Sequence, residues 1–511
     1  MQNKIIHKKA AFNVKEMFDL RSAYLNKFID VKIKKILNRL TSSLKISKIY
    51  DETKSKLWGD VKFHIDNRIH LNNKATFKEI YTFGSMFSLT KQHTEHLRKI
   101  ILDGCTNNHR ERTYYDLSIL PLNIVLGKNV IDYFIPPSDY FDFKSTNQED
   151  PYGIISGKSR SYGFKSKPTA IKYAGSNLLL GANKFTHTLL FNVDFHCPIG
   201  CSDCYKARIG TREYFTGSNK QYSIQELGEV IIPKKSTVIE QAKQTVAWLN
   251  EDKRGNNVYD IIISGGEPLM FSNELIEQLL SVFKKAKYLK ILRICTGTIF
   301  LGLPFRIDTQ LMEILRSFSD ETGVRITIQA HIGNSNMISP ESIIAIQKIK
   351  KAGFNIYAQI PIKNNINFFL EDPKKTIAEL SLLLQKLVIA DVEPYMFIVD
   401  MHPSTNEYYV PIEPLLQVWG DLIESHDYPG IERPRTLSVL FEQGNVVLSG
   451  NTLFAMEKKV NKTEQSVTYK IPRVGSTGYW KNSIKEYFEY TEPLILGLND
   501  DPHSLFMKKV F

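Results

Sequence analysis

Cysteine is scarce in this chain, with five residues in 511. So small and odd a number excludes a disulfide framework as the source of stability and fits a reducing, cytoplasmic setting. Long apolar runs are absent as well. No stretch reaches the roughly eighteen apolar residues of a membrane span, so no membrane association is expected. The basic opening Met1-Gln-Asn-Lys-Ile-Ile-His-Lys-Lys9 is followed by neither an apolar region nor a small-residue cleavage site, and does not read as a secretory leader. Compact charge patches are missing too. The net charge of +12 comes from scattered lysines, not from a basic stripe interleaved with aromatics. That pattern is a solvated surface, and nucleic acid is not an expected partner.

What is present is an ordinary globular composition, 42% hydrophobic and 23% charged, in a chain long enough for several cores. Residues 1–110 show helical spacing, as in Val31-Lys-Ile-Lys-Lys-Ile-Leu-Asn-Arg-Leu40. Residues 111–185 carry Pro121, Pro136, Pro137, Pro151 and Pro168 and predict an extended connection. From 186 to 430 short apolar runs alternate with amphipathic stretches. Strands are predicted at Thr188–Val193, Val258–Ser264, Ile291–Thr296, Arg325–Gln329, Asn355–Ile360 and Val392–Val399. Helices are predicted at Ser236–Leu249, Asn273–Lys285, Thr309–Ser317, Pro340–Lys351, Lys375–Lys386 and Glu413–Ser425. Six βα units in series imply an α/β fold with a parallel sheet curling into a partial (β/α)6 barrel. Residues 431–511 turn to β character, with a hairpin around Gln443-Gly-Asn445 and a small C-terminal extension.

Three of the five cysteines fall together in Cys197-Pro-Ile-Gly-Cys201-Ser-Asp-Cys204, just after the first strand. Thiolates so spaced wrap one soft metal centre. A structural zinc site wants four closed ligands, and His196 adjoins Cys197 too closely to share a tetrahedron comfortably. Three ligands for four irons leave one iron open, so Cys197, Cys201 and Cys204 are read as the cradle of a [4Fe–4S] cluster. The second element is Ser264-Gly-Gly-Glu-Pro-Leu269 at the end of the next strand. Alone, paired glycines there are a tight turn. In a parallel sheet, function gathers at the C-terminal strand ends, and both motifs fall at that end.

Together these motifs resemble the radical SAM superfamily, in which a CxxxCxxC loop holds the cluster and a GGE-type turn holds the S-adenosylmethionine amine. The resemblance narrows to the lysine 2,3-aminomutases. Gly265-Gly-Glu-Pro-Leu-Met-Phe-Ser272 is similar to their GGDPLLLS, and Arg293-Ile-Cys-Thr-Gly-Thr298 with Leu303-Pro-Phe-Arg-Ile307 to RIGTRT…LPQRI. His331-Ile-Gly-Asn-Ser-Asn-Met-Ile-Ser339 is similar to HFNHPNEIT, and Ala352-Gly-Phe-Asn-Ile-Tyr-Ala-Gln359 to AGIPLGNQ. Trp58-Gly-Asp60, Asn67-Arg-Ile69 and Tyr490-Thr-Glu-Pro493 extend it along the chain. The resemblance implies that Gly265, Gly266, Glu267, Pro268, Thr296, His331 and Gln359 line the adenosylmethionine site, with Tyr205 against the adenine. Without it, Tyr205 is simple packing and His331 and Gln359 are ordinary strand-end hydrogen bonds. Lys206 stands where the family pairs an arginine with the substrate carboxylate; it keeps the charge but not the bidentate fork. Asp400 stands where an aspartate meets the substrate ammonium, and its bland reading is a strand-end cap.

The chain departs from that family in the pyridoxal phosphate apparatus. Val447 occupies the position of the imine-forming lysine, Leu440 that of a second aspartate, and Gly297 that of an arginine. Lys458 and Lys459 lie in a charged run read as a solvated face. Pyridoxal phosphate is therefore not expected. The implied activity is reductive cleavage of adenosylmethionine and hydrogen abstraction from a small, amino-acid-like substrate, followed by isomerisation, epimerisation or another radical rearrangement. A reductant such as flavodoxin or ferredoxin is implied as partner. Two alternatives stand beside it: a pyridoxal-dependent aminomutase using a different lysine, and an iron–sulfur protein that binds or modifies RNA.

Overall fold

The computed structural model describes residues 170–193 and 235–501, apart from short interruptions at 174–175, 186, 301–305, 339, 402–407, 425–433, 435, 442–443, 449–451, 454–455 and 473–486, together with Lys91 and Glu95. Cys197, Cys201, Cys204, Tyr205 and Lys206 lie outside the described residues, as do the motifs at Trp58 and Asn67 and nearly all of the region expected to be helical.

Ten strands form one sheet in sequence order: β1 (Ala170–Tyr173), β2 (Ser176–Phe185), β3 (Thr188–Asn192), β4 (Asp260–Ser264), β5 (Ile291–Thr296), β6 (Arg325–His331), β7 (Asn355–Ile362), β8 (Glu393–Asp400), β9 (Thr436–Phe441) and β10 (Gly444–Val447). β3 through β9 are parallel neighbours. β1, β2 and β10 add antiparallel edges. The sheet curls into a half-barrel. Among the described residues each parallel pair is bridged by one long helix: α1 (Lys235–Glu251), α2 (Asn273–Phe283), α3 (Thr309–Thr322), α4 (Pro340–Lys351), α5 (Pro373–Ile389) and α6 (Ile412–Glu424). All six expected βα units are present. The sheet also reaches beyond them: β1 and β2 fall within the stretch read as extended connection, and β9 of the expected hairpin is a seventh parallel strand beside β8. Apolar spacing marks a strand but not its neighbour in the sheet, which is why the place of β9 beside β8 escapes a periodicity reading.

Strand alternation sorts the side chains into two faces. Leu189, Phe191 and Val193, Ile261 and Ile263, Leu292 and Ile294, and Ile326, Ile328 and Ala330 all join the main apolar core. Their face carries the helices: Phe191 meets Phe283 of α2 edge-on at 5.3 Å, and Phe397 meets Trp419 of α6 at 5.3 Å. In α2 the buried residues Ile276, Leu279, Leu280 and Phe283 follow helical spacing, and Ser272 caps its start by accepting from the Leu275 amide at 3.3 Å. Asp308 and Asp372 cap α3 and α5 in the same way, at 2.7 and 3.0 Å. The opposite face holds Thr188, Asp260, Arg293, Thr327, Gln329, His331 and Gln359, all polar. Ile262, though buried, stands outside the main core cluster.

A second sheet, β11 (Glu457–Asn461), β12 (Ser466–Pro472) and β13 (Tyr487–Pro493), is antiparallel throughout. It is joined to the barrel by Phe441 of β9, which packs on Phe488 and Tyr490 at 5.1 and 5.0 Å. Glu492 completes the joint. Its buried carboxylate accepts from Tyr409 (2.6 Å) and the Ile412 amide (3.2 Å) on one oxygen, and from Tyr469 (3.0 Å) and Asn499 (3.1 Å) on the other. Burial pushes its carboxyl above the ordinary range, and burial with the neighbouring Glu492 pushes the Tyr409 phenol up too. Among the described residues no helix is long and apolar enough to cross a membrane.

Two glycines give a paired stability test. A β-carbon on Gly255 would sit 2.3 Å from the Trp248 carbonyl oxygen and 2.8 Å from the Leu249 α-carbon, whereas one on Gly420 in α6 would meet nothing within 4 Å. Thermal melts should show Gly255→Ala destabilised by about 1–3 kcal/mol. Gly420→Ala should be stabilised by about 0.5–1 kcal/mol.

Candidate functional site

The site lies at the C-terminal ends of the parallel strands, where each crossover leaves a loop free to serve function. β4 ends at Ser264, and the chain turns through Gly265 at φ 128°, a backbone region that a β-carbon strongly disfavours. The turn delivers Glu267, 4% exposed, beneath the end of β5. One oxygen of its carboxylate accepts from Thr296 Oγ1 at 2.7 Å and the Leu269 amide at 3.2 Å; the other accepts from the Gly297 amide at 2.7 Å. Thr296 in turn shares a 2.7 Å hydrogen bond with Thr298. Glu267 and Thr296, picked from separate motifs, thus form one knot.

Burial raises the Glu267 carboxyl to about 7, opposed by the hydrogen bonds from Thr296, Gly297 and Leu269 and by the charge of Arg306. Arg306 is itself 1% exposed, donating to the Phe271 carbonyl at 2.7 Å and to Asp308 at 3.2 Å. It braces the far side of the turn.

His331 is the last residue of β6 and Gln359 its register partner on β7, both half-buried on the polar face. The loop after β6 is held by α5: Glu379 accepts from the Ser335 amide (2.6 Å) and hydroxyl (3.0 Å), while Lys386 donates to the Ser335 carbonyl at 3.1 Å. Asn367, wholly buried, donates to the Gly333 and Pro361 carbonyls at 2.6 and 2.7 Å and so ties the loops after β6 and β7 together. At the opposite, N-terminal strand ends, Asp260 accepts from Thr188 at 3.0 Å and makes a two-pronged ion pair with Arg293. Between the two ends Cys295 donates from Sγ to Gln329 at 3.3 Å. The polar face is bonded at its base and lined with polar side chains towards its mouth.

Asp400 closes β8 and is buried. Lys363, one residue beyond β7 and also buried, places its Nζ 3.6 Å from Asp400 Oδ2. Leu440 is the register partner of Asp400 on β9. Lys363 escaped the sequence reading, although a lysine directly after the apolar strand end Ile360-Pro-Ile362 is a visible signal. Lys458 corrects an expectation: it is not solvated but mostly buried, 2.5 Å from Glu413 and donating to the Asp501 carbonyl at 2.8 Å. A lysine in that second sheet is drawn in by the acid at the start of α6, which a charged run cannot reveal. Lys459 is exposed. Val447 sits on β10 opposite Ser438.

A second residue missed in the sequence is Asn192, the last of β3 and five residues before Cys197. It is 3% exposed, and its Oδ1 has no hydrogen-bond partner among the described residues. Thr327 Oγ1, on the polar face of β6, is likewise buried without a partner among the described residues. Orphaned groups inside a polar half-barrel suit a polar ligand, and Asn192 lies beside Ser264, the residue before the Gly265 turn. The described residues therefore fit adenosylmethionine. Among the described residues no three His, Cys, Asp or Glu side chains gather as a metal site; the cysteine loop lies outside them.

No protein-family model matches the chain. Curated proteins do. It is 28% identical over 228 residues to the L-lysine 2,3-aminomutase of Buchnera aphidicola, covering 44% of this chain and 56% of that one. It is 24% identical over 237 residues to the L-lysine 2,3-aminomutase of Bacillus subtilis (46% and 43%), and 21% over 226 residues to the glutamate 2,3-aminomutase of Clostridioides difficile (44% and 45%). The chain thus spans about half the length of these relatives.

Two predictions follow the geometry. The Glu267 carboxyl is raised from an unfolded value near 4.5 to about 7, so the folded state binds the extra proton. The stability this contributes is complete below pH 4.5 and is lost as pH rises through 7. Melting temperature measured between pH 5 and 7.5 should fall with a slope that Glu267→Gln flattens. For the second, Lys363→Met removes a buried cation 3.6 Å from the buried Asp400 carboxylate and should cost about 3–5 kcal/mol. The double change Lys363→Met with Asp400→Leu should recover most of that loss in denaturant titrations.

Proposed function

Because the chain is a lysine 2,3-aminomutase-like member of the radical SAM superfamily, we propose that it cleaves S-adenosylmethionine reductively and uses the resulting radical to abstract hydrogen from a small amino-acid-like substrate. When bound, a [4Fe–4S] cluster with adenosylmethionine supplies a 5′-deoxyadenosyl radical by one-electron reduction, and the protein's part is binding, orientation and exclusion of water. Cys197, Cys201 and Cys204 would hold the cluster. Gly265, Gly266 and Pro268 offer backbone to the methionine amine, and the glycines let it approach closely. Glu267 keeps that turn in place through Thr296 and Gly297, and its charge favours an ammonium nearby. Thr296, His331 and Gln359 line the same mouth, with Tyr205 against the adenine. The observation that carries this reading is the Glu267–Thr296 contact, which joins two independently recognised motifs at the functional end of the sheet.

On the substrate side Lys206 offers a cation for a carboxylate. Asp400 is proposed to set substrate charge through its pairing with Lys363. With Val447 and Leu440 where the resembled family has a lysine and an aspartate, the outcome after hydrogen abstraction is a rearrangement, epimerisation or dehydrogenation that runs without pyridoxal phosphate. Flavodoxin or ferredoxin is the reductant class.

Lys363 also favours a second reading: a buried lysine beside a carboxylate at the barrel mouth is where an imine would form. Protein saturated with pyridoxal phosphate should show no borohydride-fixed adduct on the first reading, and an adduct lost in Lys363→Met on the second. The main test is anaerobic reconstitution with iron, sulfide, dithionite and adenosylmethionine. We expect about four irons per chain and slow release of 5′-deoxyadenosine, both abolished by Cys201→Ala. A fully loaded cluster that yields no 5′-deoxyadenosine refutes the proposal.

A further inference from the structure

We propose that Asn192 is a side-chain acceptor for the ammonium of adenosylmethionine, an inference that rests on the function proposed above. The expected carboxylate acceptor is already engaged. Both oxygens of Glu267 take protein donors, three in all, in a site 4% exposed. Glu267 is thus largely committed to shaping the turn, and an ammonium with three hydrogens to place gains from another oxygen nearby.

Asn192 supplies one. Alternation along β3 sends Leu189, Phe191 and Val193 into the apolar core and Thr188, Leu190 and Asn192 to the polar face. The register partner of Asn192 is Ser264, and the Val193 amide donates to the Ser264 carbonyl at 2.8 Å. Asn192 thus stands one strand over from the first residue of the Gly265 turn. Its Oδ1 is buried and takes no donor among the described residues. Folding leaves that oxygen stripped of water with nothing in return, a cost that leucine at the same position would not incur. An orphan of this kind, facing a ligand turn, makes sense as a group that is satisfied on binding. An ammonium suits it best, because a charged donor makes the stronger hydrogen bond.

The experiment measures binding and stability as well as turnover. Adenosylmethionine affinity is determined by anaerobic equilibrium dialysis on the cluster-loaded protein, and melting temperature on the same protein without adenosylmethionine. Asn192→Leu should melt at or above the parent temperature and bind adenosylmethionine about tenfold or more weakly, the scale of one charge-assisted hydrogen bond. Asn192→Asp, which keeps an acceptor, should bind at least as tightly as the parent. An adenosylmethionine analogue with hydrogen in place of the amine should bind the parent and Asn192→Leu equally. If Asn192→Leu fails to fold, Asn192→Asp and the analogue still decide: an aspartate variant with tenfold weaker affinity, or an analogue that binds the parent as tightly as adenosylmethionine itself, overturns the inference. Equal affinity of parent and Asn192→Leu for adenosylmethionine overturns it alone. A parent that binds no adenosylmethionine overturns the proposed function and this inference together.

Discussion

The buried carboxylate of Glu267 holds the candidate site in one piece. It is attached to the end of β4 through a glycine turn, and it takes its donors from the end of β5 and from the short helical turn that follows it. Two adjacent parallel strands have no covalent connection at this end; the crossover runs through α2. A single anionic group with three donors therefore does what the backbone cannot, locking two loops that belong to different βα units. Its raised protonation equilibrium is the physical cost of placing that group out of water.

The same economy recurs around the half-barrel. Asn367 ties the loops after β6 and β7, Glu379 fastens the loop after β6 to α5, and Glu492 fastens the second sheet to the approach to α6. Each is a buried or half-buried polar side chain with its partners supplied, so each rigidifies the loops it joins. Asn192 and Thr327 depart from this pattern among the described residues of the polar face, and of the two Asn192 stands beside the Gly265 turn, where a ligand belongs.

Lys363 and Asp400 define a different constraint. The carboxylate that the resemblance assigns to a substrate ammonium is met instead by an ammonium of the chain itself. Beside it lies Leu440, an apolar neighbour on the next strand. The charge environment at these strand ends is therefore closer to neutral than two facing aspartates would make it, which bears directly on the kind of substrate that can sit there.

The residues alone were enough for the βα order, for helices such as Pro340–Lys351 and strands such as Ile291–Thr296, and for the motifs at Gly265 and Arg293. Apolar spacing and local turn chemistry are properties of neighbours along the chain, so they can be read along it. Tertiary structure decided the rest. Only folding brought Thr296 onto Glu267, 29 residues away, and Lys363 to Asp400. Only folding pulled Lys458 out of solvent towards Glu413 and enrolled β1, β2 and β9 in the barrel sheet. These are contacts between groups far apart in sequence, and their energies depend on burial, which no single residue carries with it. Asn192 shows the division most clearly: a lone asparagine in an apolar strand is legible, but that its oxygen is buried and unanswered is a fact of the fold.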